Sequence, residues 1–182
     1  MSYNKKFSDT SVRLGLVRFS YPFVFEKRKD ESGNPDKYSL CCLIHKDDKE
    51  TINLFNEAYE AAKQKGKAEK WGGRIPAKVK SPLRDGDIDR EGDPAFAHCY
   101  FFNCSSKNAP GVRVRENGLI SDALDSSEFY AGCFGAVTVN FFPYNSNGNV
   151  GVGVGLNNCI KLEDGERLGG GRSADEDFAD LE

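Results

Sequence analysis

Cys133–Phe142 reads CFGAVTVNFF, and Val150–Leu156 reads VGVGVGL. Both alternate with a period of two, the signature of a strand with one face turned to a core. The intervening Pro143–Asn149 is rich in Asn and Gly and reads as a turn, so the two runs form an antiparallel hairpin. Gly151, Gly153 and Gly155 fall on one face, where a neighbouring group can approach closely. They do not make a dinucleotide fingerprint, because the sixth position is Leu156 and no helix begins there. With 12% aromatic residues and 19 glycines in 182 residues, the whole chain leans toward β structure. The length fits one domain plus tails and supports a core without disulfides.

Upstream of this hairpin, His98–Cys104 (HCYFFNC) is an aromatic strand. His98, Tyr100, Phe102 and Cys104 share one face, and Cys99, Phe101 and Asn103 the other. Rings on both faces mean either two buried faces or an exposed ring of the kind on which small β-barrels stack single-stranded bases. Ser105–Gly111 is a turn, and Val112–Arg115 then sets Arg113 and Arg115 together on one face. Near the start, Ser11–Phe19 alternates, with Val12, Leu14 and Leu16 on one side and Arg13, Gly15 and Val17 on the other. Tyr21-Pro22 breaks this strand, and Phe23 and Phe25 continue its apolar pattern briefly. Glu26–Lys37 is a polar loop, and Tyr38–His45 a second strand carrying Leu40, Cys42 and Ile44 on one face. The one clear helix spans Asp47–Gly66, with Asp47 and Glu50 as a capping pair and Gly66 as its stop. Its stripe Ile52, Phe55, Tyr59 and Ala62 packs on the sheet. Residues 1–10 are expected to fray.

Lys63–Arg84 is the most basic stretch, with Glu69 as its only acid and Trp71, the sole tryptophan, in its middle. Cations interleaved with an aromatic ring suit a flexible polyanion whose phosphates are followed and whose bases are stacked. On this reading Trp71, Tyr100, Phe102 and Tyr144 stack bases, and Lys78, Lys80, Arg84, Arg113 and Arg115 follow phosphates. The alternative places Trp71 in the core and leaves the charges solvated. Asp85–Asp93 (DGDIDREGD) fails as an EF-hand loop, since its sixth and twelfth positions are Arg90 and Phe96. No metal or cofactor is expected. The spacings of the six cysteines and two histidines match no common zinc pattern, so buried, reduced thiols are expected.

Charge divides the chain. It holds 25 Lys and Arg against 28 Asp and Glu, yet residues 163–182 carry eight acids and two bases, net −6, which leaves residues 1–162 at +3. A basic body with an acidic appendage suggests a polyanion partner and an internal competitor for it. The end, Asp175–Glu182 (DEDFADLE), follows a Gly169–Ser173 hinge (GGGRS) and cannot bury enough apolar surface to offset chain entropy, so disorder is expected. Asp175, Glu176, Asp177, Phe178 and Asp180 form a candidate partner-binding peptide, or else a solubilising tail. No apolar run reaches membrane length, and MSYNKKFSDT lacks a signal-peptide core, which points to the cytoplasm.

Several stretches, in order along nearly the whole chain, carry a resemblance. Leu16–Pro22 (LVRFSYP), Ser81–Asp87 (SPLRDGD), the FFN run ending at Asn103, Ser105–Val112 (SSKNAPGV), Tyr130–Phe142, and Gly148–Leu156 leading into DGERLGGGRSADEDF resemble the Enc34-like family of phage single-stranded DNA-binding proteins. The resemblance implies a mainly β, five-stranded, Greek-key-like OB-fold barrel over residues 11–162 with one main helix, then a linker and acidic tail over 163–182. It implies coating of single-stranded DNA, with little sequence preference, during phage replication or recombination. It further implies that the tail regulates DNA binding and recruits phage or host replication proteins in the cytoplasm of the infected bacterium. A homodimer is left open. The competing classes are a metal-dependent nuclease built on Asp85–Asp93 and a structural or adaptor protein that does not bind DNA.

Overall fold

The computed structural model describes residues 2–168 and 178–181. One long strand sets the architecture: β2, Ser11–Lys29. Its first half pairs antiparallel with β8 (Phe134–Ser146), and its second half with β3 (Pro35–His45). β3 continues into β5 (Cys99–Ser106), and β8 into β9 (Asn149–Glu163). A parallel contact of Ser105 with Gly155 joins β5 to β9 and closes the ring β2–β3–β5–β9–β8. This is the five-stranded barrel of the OB fold. The outer additions are β1 (Lys5–Lys6) on β2, β4 (Arg84–Asp85) on β5, and the β6 (Gly111–Glu116) and β7 (Leu119–Asp122) hairpin, whose β6 runs parallel to β9.

The helix α1 (Lys49–Glu69) closes one end of the barrel. Its apolar stripe is buried as expected, and Phe55 sits 4.8 Å from Phe141 and 4.9 Å from Phe102, ring centre to ring centre. Covering a side chain of that size contributes about 1.5–3 kcal/mol. The N-cap is Asp48 rather than Asp47, with the Thr51 amide donating to Asp48 Oδ1 at 3.2 Å. The helix also runs through Gly66 instead of stopping there. A Cβ at Gly66 would meet the Trp71 ring and Pro143, so this glycine is required by packing.

Other expectations change for local reasons. Leu16 does not share a face with Val12 and Leu14. A register shift between Gly15 and Val17 turns Val17 and Phe19 inward instead. Tyr21-Pro22 does not end β2. The strand bends there and runs on to Lys29, so the β2–β3 turn shrinks to a few residues closed by Asp30. The β8–β9 turn is likewise only Asn147-Gly148, both at positive φ, the geometry of a two-residue hairpin. Pro143 is tolerated within β8 because pairing with β2 has ended at Asn140, and an edge position accepts proline. The N-terminus is fastened rather than frayed. The Asn4 side chain donates to Thr51 and accepts from the Gly15 amide, and Tyr3 O accepts from Arg13. At the other end, residues 164–168 still belong to the packed body, with Tyr130 donating to Asp164 at 2.6 Å and Leu168 N–H to Ala131 O at 3.0 Å.

Candidate nucleic-acid interface

The second half of β2, Tyr21–Lys29 (YPFVFEKRK), lies on the outside of the barrel wall. Val24 points into the core, so Phe23 and Phe25 point away from it. Phe23 pairs with Ser39, and Ser39 with Ser105, which puts all three on the outer face. Tyr21, Phe23, Arg28, Ser39, Asn103 and Ser105 line a groove of about 520 Å³. Two further depressions adjoin it along the strand. One is lined by Phe23, Phe25, Lys27, Arg28, Lys29 and Leu124, the other by Arg18, Tyr21, Pro22, Phe96 and Arg167. Pairs of these three depressions share Tyr21, Pro22, Phe23 and Arg28, and together they form a trough along β2, in which the acids Glu26, Asp93, Asp125 and Glu166 stand among the cations.

Tyr21 is the most developed element of the trough. Its φ of 45° lies in the left-handed region that a non-glycine residue adopts only when held there. Its ring is anchored by Arg90, whose Nη2 donates to the Tyr21 hydroxyl at 2.8 Å. The Arg90 guanidinium lies 5.4 Å from the Tyr21 ring centre and 4.1 Å from that of Phe96. Asp93 accepts from the same guanidinium at 3.0 Å. Tyr21 is thereby fixed with 52% of its surface exposed. Arg18 is committed to the backbone, donating to Gly132 O at 3.0 Å and to Glu166 O at 2.7 Å. Cys41, on the groove floor, is buried, and that burial pushes its thiol up to about 12, well away from thiolate chemistry.

The residues singled out from the sequence fall into several places. Phe102 is fully buried against Phe55 and cannot meet a base; both faces of β5 are covered there, because Phe101 packs in a second cluster with Phe96, Cys41 and Leu43. Trp71 is also a core residue. Its ring packs on Gly66, and its Nε1–H donates to Tyr144 O at 3.0 Å. Tyr100 is half-buried beneath the Lys46 ammonium. Arg84 lies over the Phe101 ring and pairs with Asp89 at 3.3 Å, on the groove side of β5. Lys78 donates to Gly148 O at 2.6 Å at the β8–β9 tip, close to Tyr144, and Lys80 is exposed in the same connection. Arg113 and Arg115 stand on β6 and are not among the residues lining the three depressions, the first paired with Asp122 at 2.6 Å and the second against Tyr3. Asp175, Glu176 and Asp177 lie outside the described residues. Phe178 is 60% exposed, and Asp180 belongs to the short helical turn Ala179–Leu181.

Tyr21, Phe23, Phe25 and the Lys27–Lys29 cations were missed because Tyr21-Pro22 reads as a strand break. The signal was nevertheless present, as three rings at alternate positions followed, after Glu26, by three consecutive basic residues. Four of the five Asp85–Asp93 acids are drawn to a cation. Lys46 bridges Asp85 at 2.8 Å and Asp87 at 2.7 Å, Arg84 takes Asp89, and Arg90 takes Asp93. Hydrogen bonds from Lys46 and from the His98 amide hold the Asp87 carboxyl below its ordinary range.

Comparison with known proteins places this geometry in a family. The family model described as "Enterobacter phage Enc34, ssDNA-binding protein" matches residues 10–182. Protein p50 of Acyrthosiphon pisum secondary endosymbiont phage 1 is 31% identical over 180 residues, covering 93% of each chain. Among solved structures, the single-stranded DNA-binding protein from bacteriophage Enc34, in complex with ssDNA, superposes with a TM-score of 0.75 at 21% identity, over 91% of this chain and 96% of that one. The bacteriophage T7 single-stranded DNA-binding protein gp2.5 superposes with a TM-score of 0.50 at 18% identity, over 90% and 97%. The structural likenesses establish the OB barrel, and the match over residues 10–182 establishes more: this chain belongs to the Enc34 single-stranded DNA-binding protein family.

Proposed function

We propose that this protein binds single-stranded DNA with little sequence preference and coats it during phage replication or recombination, in the cytoplasm of the infected host. The observation that carries the reading is the Tyr21–Lys29 trough. It runs along the first barrel strand, β2, and spreads over the outer face of the second and third, β3 and β5, through Ser39, Asn103 and Ser105, the face on which OB folds take oligonucleotides. Family membership supports it independently. Rings stack on any base, and cations follow any phosphate, so such a surface is indifferent to sequence. Arg84 would act at the trough's edge, and Lys78, Lys80 and Tyr144 at the hairpin tip. Roles for Tyr100, Arg113 and Arg115 require a longer strand path. The protein is read as a binder rather than a nuclease because Asp85, Asp87, Asp89 and Asp93 are all engaged in ion pairs with Lys46, Arg84 and Arg90. Among the described residues, no helix is long and apolar enough to cross a membrane.

The acidic end would compete with DNA for the trough and recruit replication proteins through Phe178 and its flanking acids. Its root supports this: Glu166, Arg167 and Leu168 line the same depression as Tyr21. Fourteen residues follow Leu168, and five of the last eight are acidic.

The test is a titration of labelled single- and double-stranded oligonucleotides with wild type, Tyr21→Ala and a variant lacking Asp175–Glu182, across a salt series. Tyr21→Ala should lose about 1–3 kcal/mol on single strands. Tail deletion should tighten binding most at low salt, where the competition is least screened. Divalent-dependent cleavage of the strand, or no single-strand binding at moderate salt, would overturn the reading.

A further inference from the structure

The trough does not end at β5. Phe23 pairs with Ser39, Ser39 with Ser105, Ser105 with Gly155, and Gly155 with Asn140. Partners in such a row share a face, so one lateral line crosses the outside of all five barrel strands. Its middle is Ser39 and Ser105, whose side chains are too small to obstruct a strand lying over them, and Gly155, over which the Asn140 side chain folds and offers its amide to a passing strand. Beyond it, on β8, Phe142 pairs with Gly153 and Tyr144 with Gly151. A Cβ built on either glycine would overlap the ring opposite, so both rings lie down across β9 instead of standing off the sheet. Phe142 keeps 43% of its surface exposed. The tip behind these rings is rigid, with Trp71 donating to Tyr144 O and Lys78 to Gly148 O.

We propose that the Phe142 ring is a second base-stacking site, reached by a strand that leaves the trough over Ser105 and Gly155. This rests on the single-strand binding reading above and extends its footprint from β2 to β8. The occupant is single-stranded nucleic acid because the small-residue row is continuous with the trough, and because a flat, half-exposed ring offers a base one open face. Lys78 at the tip supplies a cation for the adjoining phosphate, and the fixed tip means the ring needs no ordering when a base arrives.

A ring over a strand glycine can also serve only to cover it, and the variants are chosen to separate the two roles. Phe142→Leu keeps an apolar cover over Gly153 but removes the stacking face, whereas Phe142→Ala removes both. Affinities for oligothymidylates of about 4 to 16 nucleotides, the range of OB-fold site sizes, are read by fluorescence anisotropy alongside melting temperatures. The expected result is a Phe142→Leu protein that melts like wild type and binds the longest oligonucleotides about 5- to 150-fold more weakly, the loss of one stacked base. Its affinity for the shortest should be unchanged, and so should its salt slope, because no phosphate contact is lost. Wild-type affinity at every length in Phe142→Leu, with or without a loss in Phe142→Ala, would reduce Phe142 to a glycine cover and overturn the proposal. An equal loss at all lengths would also overturn it, placing the ring inside the primary trough. Failure of wild type to bind any oligonucleotide is a different result and would remove the parent reading instead.

Discussion

Arg90 shows how a residue acts on the trough without lining its floor. Its guanidinium is layered between Phe96 and Tyr21 and hydrogen-bonded to Tyr21 and Asp93. A planar cation stacked on two rings is not replaceable by an ammonium. Arg90→Lys should therefore weaken single-strand binding nearly as much as Arg90→Ala, while keeping the charge and the salt slope of binding. Measuring log K against log salt for both variants checks this; full rescue by lysine would show that only the charge of Arg90 matters. None of this was readable from the sequence, where Tyr21 and Arg90 are 69 positions apart and Asp85–Asp93 looks like a solvated loop or a metal cluster. Distance in sequence also hid the fate of Trp71 and Phe102. Their residue types fit base stacking, but only the fold reveals that Trp71 is tied to Tyr144, 73 positions away, and that Phe55 covers Phe102.

At the level of elements, the strands and helix were legible and their ends were not. The period-two runs at Ser11–Phe19, Tyr38–His45, His98–Cys104 and Cys133–Phe142 lie in barrel strands apart from their first residues His98 and Cys133, which precede β5 and β8. Strand ends depended on partners: β2 continues past Tyr21-Pro22 because β3 is there to pair with it, and Pro143 sits in β8 because it lies at an edge. Gly66 is the instructive case for the helix. Alanine is intrinsically better in a helix by about 1 kcal/mol, yet its Cβ would collide with the Trp71 ring and Pro143. Overpacking of this kind costs about 1–3 kcal/mol, and packing should win. Gly66→Ala is expected to lower the melting temperature, with a further loss of DNA affinity if Trp71 shifts and the Tyr144 anchor loosens. A melting temperature raised by the substitution would mean that the helix end is solvent-like after all.

For the whole molecule, burial of thiols gives a pH signature. The Cys133 thiol is pushed up to about 11 and Cys41 to about 12 by burial, from an ordinary 9.0, and Cys42 and Cys159 move in the same direction. The folded state keeps these thiols protonated while the unfolded chain ionises them. The stability they preserve is therefore complete below about pH 9 and declines as pH climbs toward those higher values. Denaturant midpoints at pH 8, 9 and 10 should fall in that order; a flat series would contradict it. At the same scale, the charge division that pointed to a polyanion is borne by a body whose trough follows one strand of the barrel wall. The central claim is that this trough is where the DNA lies. Photocrosslinking of 5-iodouracil-substituted single-stranded DNA to the intact protein, with adducts mapped by mass spectrometry, tests it most directly. DNA lying in the trough gives adducts at Tyr21, Phe23 or Phe25; adducts confined to β6 and β7, with none on the Tyr21–Lys29 segment, would place it elsewhere.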